Sequence, residues 1–213
     1  MKRTIITLTA LFAIATASFA QDNTDMDDRE KFKIGIKAGA NYSNVYDSNG
    51  EDFDNDPKVG FVGGGFLFIP IGKFLGIQPE VLFSQKGFKG RGRILGGRYE
   101  FTRTTNFLDI PLFVALKPAS FITFLAGPQF SYLLKQKDTF ANGVTTIEQE
   151  KEFENENVRK NILCFVGGID INIDHIVIGA RAGWDVTNNK GDGTSTTPRY
   201  KNVWLQGTVG LRF

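Results

Sequence analysis

Five stretches of this sequence alternate between apolar and polar or small residues with a period of two, and that pattern excludes most folds. From Phe32 to Tyr42 the even positions are Phe, Ile, Ile, Ala, Ala and Tyr, while the odd positions are Lys, Gly, Lys, Gly and Asn. The pattern returns at 75–84, 169–174 and 176–187. It returns last at 202–213, where Val203, Leu205, Gly207, Val209, Leu211 and Phe213 share one register. A helix repeats every 3.6 residues, so a strict period of two requires strands with two different faces. Three further stretches, 59–69, 106–117 and 121–134, fit a strand less cleanly, and the first is apolar in both registers.

These stretches predict eight strands, and their connections sort into two kinds. Three are short: Pro70 to Lys73, Lys117 to Ser120, and Asp174-His175. Four are longer and polar: roughly 45–58, 87–99, 135–160 and 188–200. Short and long alternate, as the periplasmic turns and external loops of a transmembrane barrel do. The predicted fold is therefore all-β, an eight-stranded antiparallel up-and-down transmembrane β-barrel over residues 32–213. A soluble β-sandwich or lipocalin-like barrel is the alternative, with the apolar face turned inward. Phenylalanine-rich apolar faces favour the membrane, as do aromatics near strand ends (Phe32, Tyr42, Tyr132, Trp184, Phe213), which suit an interfacial girdle.

The first residues suit export. Lys2 and Arg3 precede an uncharged stretch from Thr4 to Ala17, and Ser18-Phe19-Ala20 supplies small residues for cleavage. Residues 1–20 are expected to be a signal peptide, and 21–31 a flexible acidic leader. Removing the peptide takes two of the 25 basic residues and none of the 23 acidic ones, leaving no net charge to draw in nucleic acid. Cys164 is the single cysteine, so no intramolecular disulfide can form. The longest uncharged run, Val59 to Gly72, holds five glycines and a proline and is poor helix material.

The parity assigns eight charged residues to the face away from lipid. Lys33, Lys37, Arg181 and Arg212 stand there with Glu80, Asp109, Asp170 and Asp185, on faces otherwise read as small. Isolated charges in a narrow lumen are costly, so they are expected to pair as a structural plug. A gated ion path is the sharper alternative. An interior of eight strands is only just filled by side chains, which argues against a standing pore.

Three motifs in series resemble a known family. They are Gln78-Pro79-Glu80-Val81-Leu82-Phe83-Ser84-Gln85-Lys86-Gly87, then Leu108-Asp109-Ile110-Pro111-Leu112, then Ala126-Gly127-Pro128-Gln129-Phe130. In this order the chain resembles the PorT-family outer-membrane β-barrel domain common in Bacteroidetes. The resemblance implies a barrel in the outer membrane of such a Gram-negative bacterium. It implies little about activity beyond an accessory role in secretion or assembly, carried by analogy.

Other constellations carry less. His175, the one histidine, falls in a predicted periplasmic turn, away from Ser84, Ser131 and the Thr-rich stretch 192–197, so a rim enzyme finds no base there. Asp170 and Asp185 could in principle do acid–base work, but they stand among cations. Asp47, Glu51, Asp52, Asp54 and Asp56, with Asn49 and Asn55, form an acidic first loop whose spacing departs from a calcium-binding EF-hand. Lys86, Lys89, Arg91, Arg93 and Arg98 form a basic second loop, suited either to lipopolysaccharide phosphates or to attraction toward the first loop. In the third loop, 146–155 holds four glutamates and one lysine. Cys164 is expected to be a small buried hydrophobe.

The expected protein is a non-enzymatic outer-membrane barrel with a structural or surface-binding role and without a cofactor. Its expected partners are membrane lipid, lipopolysaccharide, the outer-membrane assembly machinery and a protein met by the external loops. Phe213, an aromatic on the final strand, is expected to act as the assembly signal.

Overall fold

The computed structural model describes residues 27–47, 55–94, 97–141, 146–151, 161–187 and 200–213. Its strands are β1 (Lys33–Asp47), β2 (Asn55–Pro70), β3 (Leu75–Ile94), β4 (Gly97–Ala119), β5 (Ile122–Ala141), β6 (Thr146–Lys151), β7 (Asn161–Ile173), β8 (Ile176–Asp185) and β9 (Tyr200–Arg212). Eight of them close a circuit of antiparallel pairs, β1-β2-β3-β4-β5-β7-β8-β9 and back to β1. The seam between β9 and β1 runs from Gly35↔Arg212 to Asp47↔Tyr200. Beyond it, Ile34 and Phe213 exchange two backbone hydrogen bonds of 3.1 and 2.8 Å. The ninth strand, β6, lies outside the circuit and pairs with the outer end of β5, from Gln136↔Lys151 to Ala141↔Thr146.

The faces follow the alternation. Ile36 is 61 % exposed and Val209 60 %, whereas Lys37 and Arg181 are each 4 % exposed. The apolar register thus covers the outer wall. Among the described residues no helix is long and apolar enough to cross a membrane; crossing is by strands, whose backbone groups all find partners once the sheet is closed. The stretch 59–69 resolves with Val62, Phe66 and Phe68 inward and Val59, Phe61 and Ile69 outward.

Two expectations need correction. Within the expected loop 87–99, residues 87–94 and 97–99 belong to the outer part of the β3–β4 hairpin, paired from Gly87↔Thr104 to Ile94↔Gly97. Strands β3, β4 and β5 run 20, 23 and 20 residues, about twice the 9–11 that cross a bilayer. Above the membrane both faces of a hairpin meet water, so the alternation that marks a strand disappears there. The inward face is also not only small and charged: Phe66, Phe68, Phe107, Phe113, Leu125 and Trp204 are buried in it. Glycines make the room. The Phe66 ring lies against Gly35 and the Trp204 indole against Gly183, each where a Cβ would stand.

The periplasmic turns are tight. Asp174 takes φ +49° in the two-residue turn to β8, a conformation aspartate tolerates better than most residues. Of the expected leader, residues 21–26 and the whole signal peptide lie outside the described residues. Asp28–Glu30 forms a 3-10 turn capped by Asp27, whose carboxylate accepts from the Arg29 backbone N–H at 3.0 Å. That part is docked on the barrel rather than free.

Candidate functional site

The inward register brings four of the eight expected charges into one cluster. Glu80 on β3 stands midway in the barrel, and Arg181 reaches it from β8, four strands away in either direction. The pair is bidentate: Arg181 Nη1 donates to Oε2 at 2.6 Å and Nη2 to Oε1 at 2.9 Å. An ion pair therefore spans the diameter of the lumen. Lys37 on β1 donates to Glu80 Oε1 at 2.9 Å and lies 3.7 Å from Asp170 Oδ2. Asp170 on β7 also accepts from Arg181 Nη2 at 3.3 Å. Gln78 adds a donor to Glu80 at 2.8 Å. Two cations meet two carboxylates, so the quartet is neutral as ionised. Aromatic faces close it, with Arg181 4.8 Å from the centre of the Phe113 ring and Lys37 4.4 Å from that of Phe66.

A second cluster lies toward the external end. Lys86 Nζ meets Asp109 Oδ2 at 2.9 Å and rests 3.7 Å above the Trp204 ring, a geometry in which ring and carboxylate together replace water around the ammonium. Asp185 accepts from the backbone and side-chain nitrogens of Asn202 at 2.8 and 2.6 Å. Cys164 donates to Asp185 at 3.2 Å. The thiol is buried in the inward register and hydrogen-bonded there, so it is more than an inert filler.

Lys33 and Arg212 do not join the lumen quartet. They stand at the periplasmic mouth, where Asp28 of the docked turn takes both, at 2.6 and 3.1 Å. Lys86 was missed as a lumen cation because Lys89 and Arg91 follow it closely, yet it continues the inward parity of Gln78, Glu80 and Ser84. Lys117 was missed as well: it is buried at the end of β4 with its ammonium 3.4 Å above the Phe68 ring. His175 is exposed in its turn, with its ring centre 6.3 Å from that of Phe213. Ser84 hydrogen-bonds Asn41 at 2.9 Å, and Ser131 lies 3.4 Å from Cys164. Neither approaches the histidine.

At the external rim, Arg91 pairs with Asp56 at 3.0 Å, so attraction between the acidic and basic segments is present. Arg103 and Asp138 form a two-bond pair of 2.8 Å contacts. Lys58, just above the Tyr42 level, has no carboxylate within reach among the described residues. Burial and the neighbouring Lys89 charge hold it below the ordinary lysine range. Residues 48–54 and 188–199 lie outside the described residues, as do the side chains of Asp47, Arg93 and Arg98, so the calcium reading of the first loop falls largely there.

The family model described as outer membrane protein beta-barrel domain matches residues 19–190. The chain belongs to that family. Membership agrees with a closed eight-stranded barrel that turns its apolar register outward, and places the protein in the outer membrane. The match is to this barrel domain at large rather than to the PorT family. No curated protein matches in sequence. Among solved structures, the barrel is similar to the attachment invasion locus protein Ail of Yersinia pestis, at 14 % identity and TM-score 0.50 over 86 % of this chain and 99 % of that one. The same protein in complex with the heparin analogue sucrose octasulfate matches with the same values. Neisserial surface protein A is similar at 11 % identity and TM-score 0.45, over 84 % of this chain and 97 % of that one. These likenesses concern the fold.

Proposed function

We propose that the mature chain is a non-enzymatic surface barrel, closed inside by paired charges, whose external rim binds phosphates of lipopolysaccharide. The observation that carries the reading is the Lys58–Lys89 pair. Two neighbouring ammoniums without a carboxylate partner among the described residues, one of them partly desolvated, sit where the barrel wall emerges from the membrane. An anion there would offset both the like-charge repulsion and the lost hydration. Ail bound to a polysulfated sugar is a barrel of similar fold holding an anionic ligand, in line with this assignment. The lone histidine's place in an exposed turn supports a non-catalytic role, and the motifs at 78–87, 108–112 and 126–130 support kinship with the PorT branch.

The test is the binding of purified, detergent-folded protein to immobilised lipopolysaccharide over a range of salt. Binding should weaken steeply with ionic strength. Lys58→Glu with Lys89→Glu should reduce affinity by about tenfold or more. Undiminished binding by the double variant, with the barrel still folded, overturns the assignment.

Residues 1–20 as a cleaved export signal and Phe213 as an assembly signal belong to the same proposal. The Phe213 side chain faces outward at the periplasmic edge of β9, while its backbone is held by Ile34. Phe213→Ala should therefore slow assembly in cells far more than it lowers the stability of barrel already folded. Equal losses in membrane-inserted protein and in unfolding midpoint would refute it.

A further inference from the structure

At the periplasmic mouth two cations share one carboxylate and a third cation contacts none among the described residues. Among the described residues, Lys33 and Arg212 find their only ion-pair partner in Asp28. Lys117, 4 % exposed, has no carboxylate within 4.0 Å among the described residues and leans on Phe68 instead. All three act on Asp28: burial pushes its carboxyl up, but the Lys33 hydrogen bond and the charges of Lys33, Arg212 and Lys117 outweigh that and hold it below the ordinary range. Arg212 is fixed in place, since its Nε donates to the Asp174 carbonyl at 2.9 Å. Beside Lys33 and Arg212 opens a cavity of about 780 Å³, whose walls also include Asp28, Asn172, His175 and the exposed Asp174.

The occupant of this site is lightly held. Asp28 lies on a three-residue turn outside the sheet. Beyond its own two pairs, the turn is fastened by Arg29, which donates to the Pro118 carbonyl at 3.0 Å and covers the Phe74 ring, and by Lys73, 3.3 Å from Asp27. Those contacts are solvent-accessible, so they give way readily. One singly charged carboxylate thus serves Lys33 and Arg212 by contact, while Lys117 feels it only at a distance.

We propose that this mouth is a phosphate-binding site, with Lys33, Lys117 and Arg212 as its cationic groups and the Asp28 carboxylate as a displaceable occupant from the same chain. A phosphate monoester carries close to two charges at neutral pH and offers three acceptor oxygens, so it can engage donors that one carboxylate leaves idle. The arginine fork suits two of those oxygens at once. Phosphate reaches the mouth either as the singly charged diester of an inner-leaflet lipid headgroup, whose two free oxygens the fork can still take, or as a soluble monoester in the periplasm.

The test uses mature protein folded in a phosphate-free detergent, titrated with inorganic phosphate and followed by phosphorus NMR line width. Asp28→Asn removes the competitor and should tighten phosphate binding by about tenfold, the scale of one charge-assisted contact. Lys33→Gln with Arg212→Gln should abolish it in protein that still shows a heat-modifiable gel shift. Should that double variant fail to fold, Lys117→Met, which breaks no ion pair, should weaken binding about tenfold. Native mass spectrometry with phosphatidylglycerol separates the sources. A retained lipid lost in the basic-site variants identifies the headgroup, whereas phosphate binding without lipid retention identifies a soluble ester. No phosphate or lipid bound, or binding indifferent to Asp28, Lys33, Lys117 and Arg212, overturns the proposal.

Discussion

Glu80→Ala should lower the unfolding free energy by about 3–5 kcal/mol, the cost of stranding buried charge. Glu80 accepts from Lys37 and twice from Arg181; without it, two cations are left with Asp170 alone. Replacing all four of Lys37, Glu80, Asp170 and Arg181 with apolar residues of similar volume should by contrast be near neutral or stabilising by up to about 4 kcal/mol, because the desolvation cost disappears with the charges. Urea unfolding in micelles, read by the fluorescence of Trp184 and Trp204, measures both. A loss under about 1 kcal/mol for Glu80→Ala would mean that the quartet is solvated as a surface pair is. Planar bilayers supply a second readout: the unmodified barrel should give no steady conductance, and steady channels would contradict a lumen closed by paired charges.

Val209→Arg should cost about 2–4 kcal/mol, because its side chain leaves the wall near mid-membrane, where nothing can solvate a guanidinium. Val209 lies between the levels of Phe213 and Trp184, beside Ile178 on β8 and Ala38 on β1. The same change at Val186, at the external end of β8, should cost no more than about 1 kcal/mol, since arginine reaches headgroups and water there. The difference in folded fraction on a heat-modifiable gel checks both. Equal costs at the two positions would mean that the exposed stripe does not face lipid.

How far this structure can be read from sequence depends on whether two environments flank a segment. Where lipid lies on one side and lumen on the other, as along β1, β8 and β9, the period of two assigns every side chain. Above the membrane the same backbone pairing continues through Gly87–Ile94 and Gly97–Thr104, but water on both faces erases the pattern, and a paired hairpin reads as a loop. The 59–69 stretch is ambiguous for the opposite reason: Phe66 and Phe68 point into a lumen that accepts aromatics over glycine. Lys37, Glu80, Asp170 and Arg181 could be placed inside from parity alone. That Glu80 meets Arg181 could not, because it depends on which walls of the closed barrel face each other. Lys33 and Arg212 share the inward register, yet the strand end decides their fate. There the neighbour is a turn that precedes the first strand, and Asp28 takes both.

The β1–β9 seam has a consequence for biogenesis. It joins residues at opposite ends of the barrel domain, from Gly35↔Arg212 to Asp47↔Tyr200, so closure cannot begin until β9 is in hand. Contacts this distant in sequence make closure slow. Until then β1 and β8 each expose a row of unpaired amides, which hydrocarbon penalises heavily and another chain's strand could capture. A polypeptide interrupted before residue 200 is therefore not a slightly weaker barrel but an open, adhesive sheet. The cell has physical grounds to keep such chains under escort until the last strand arrives.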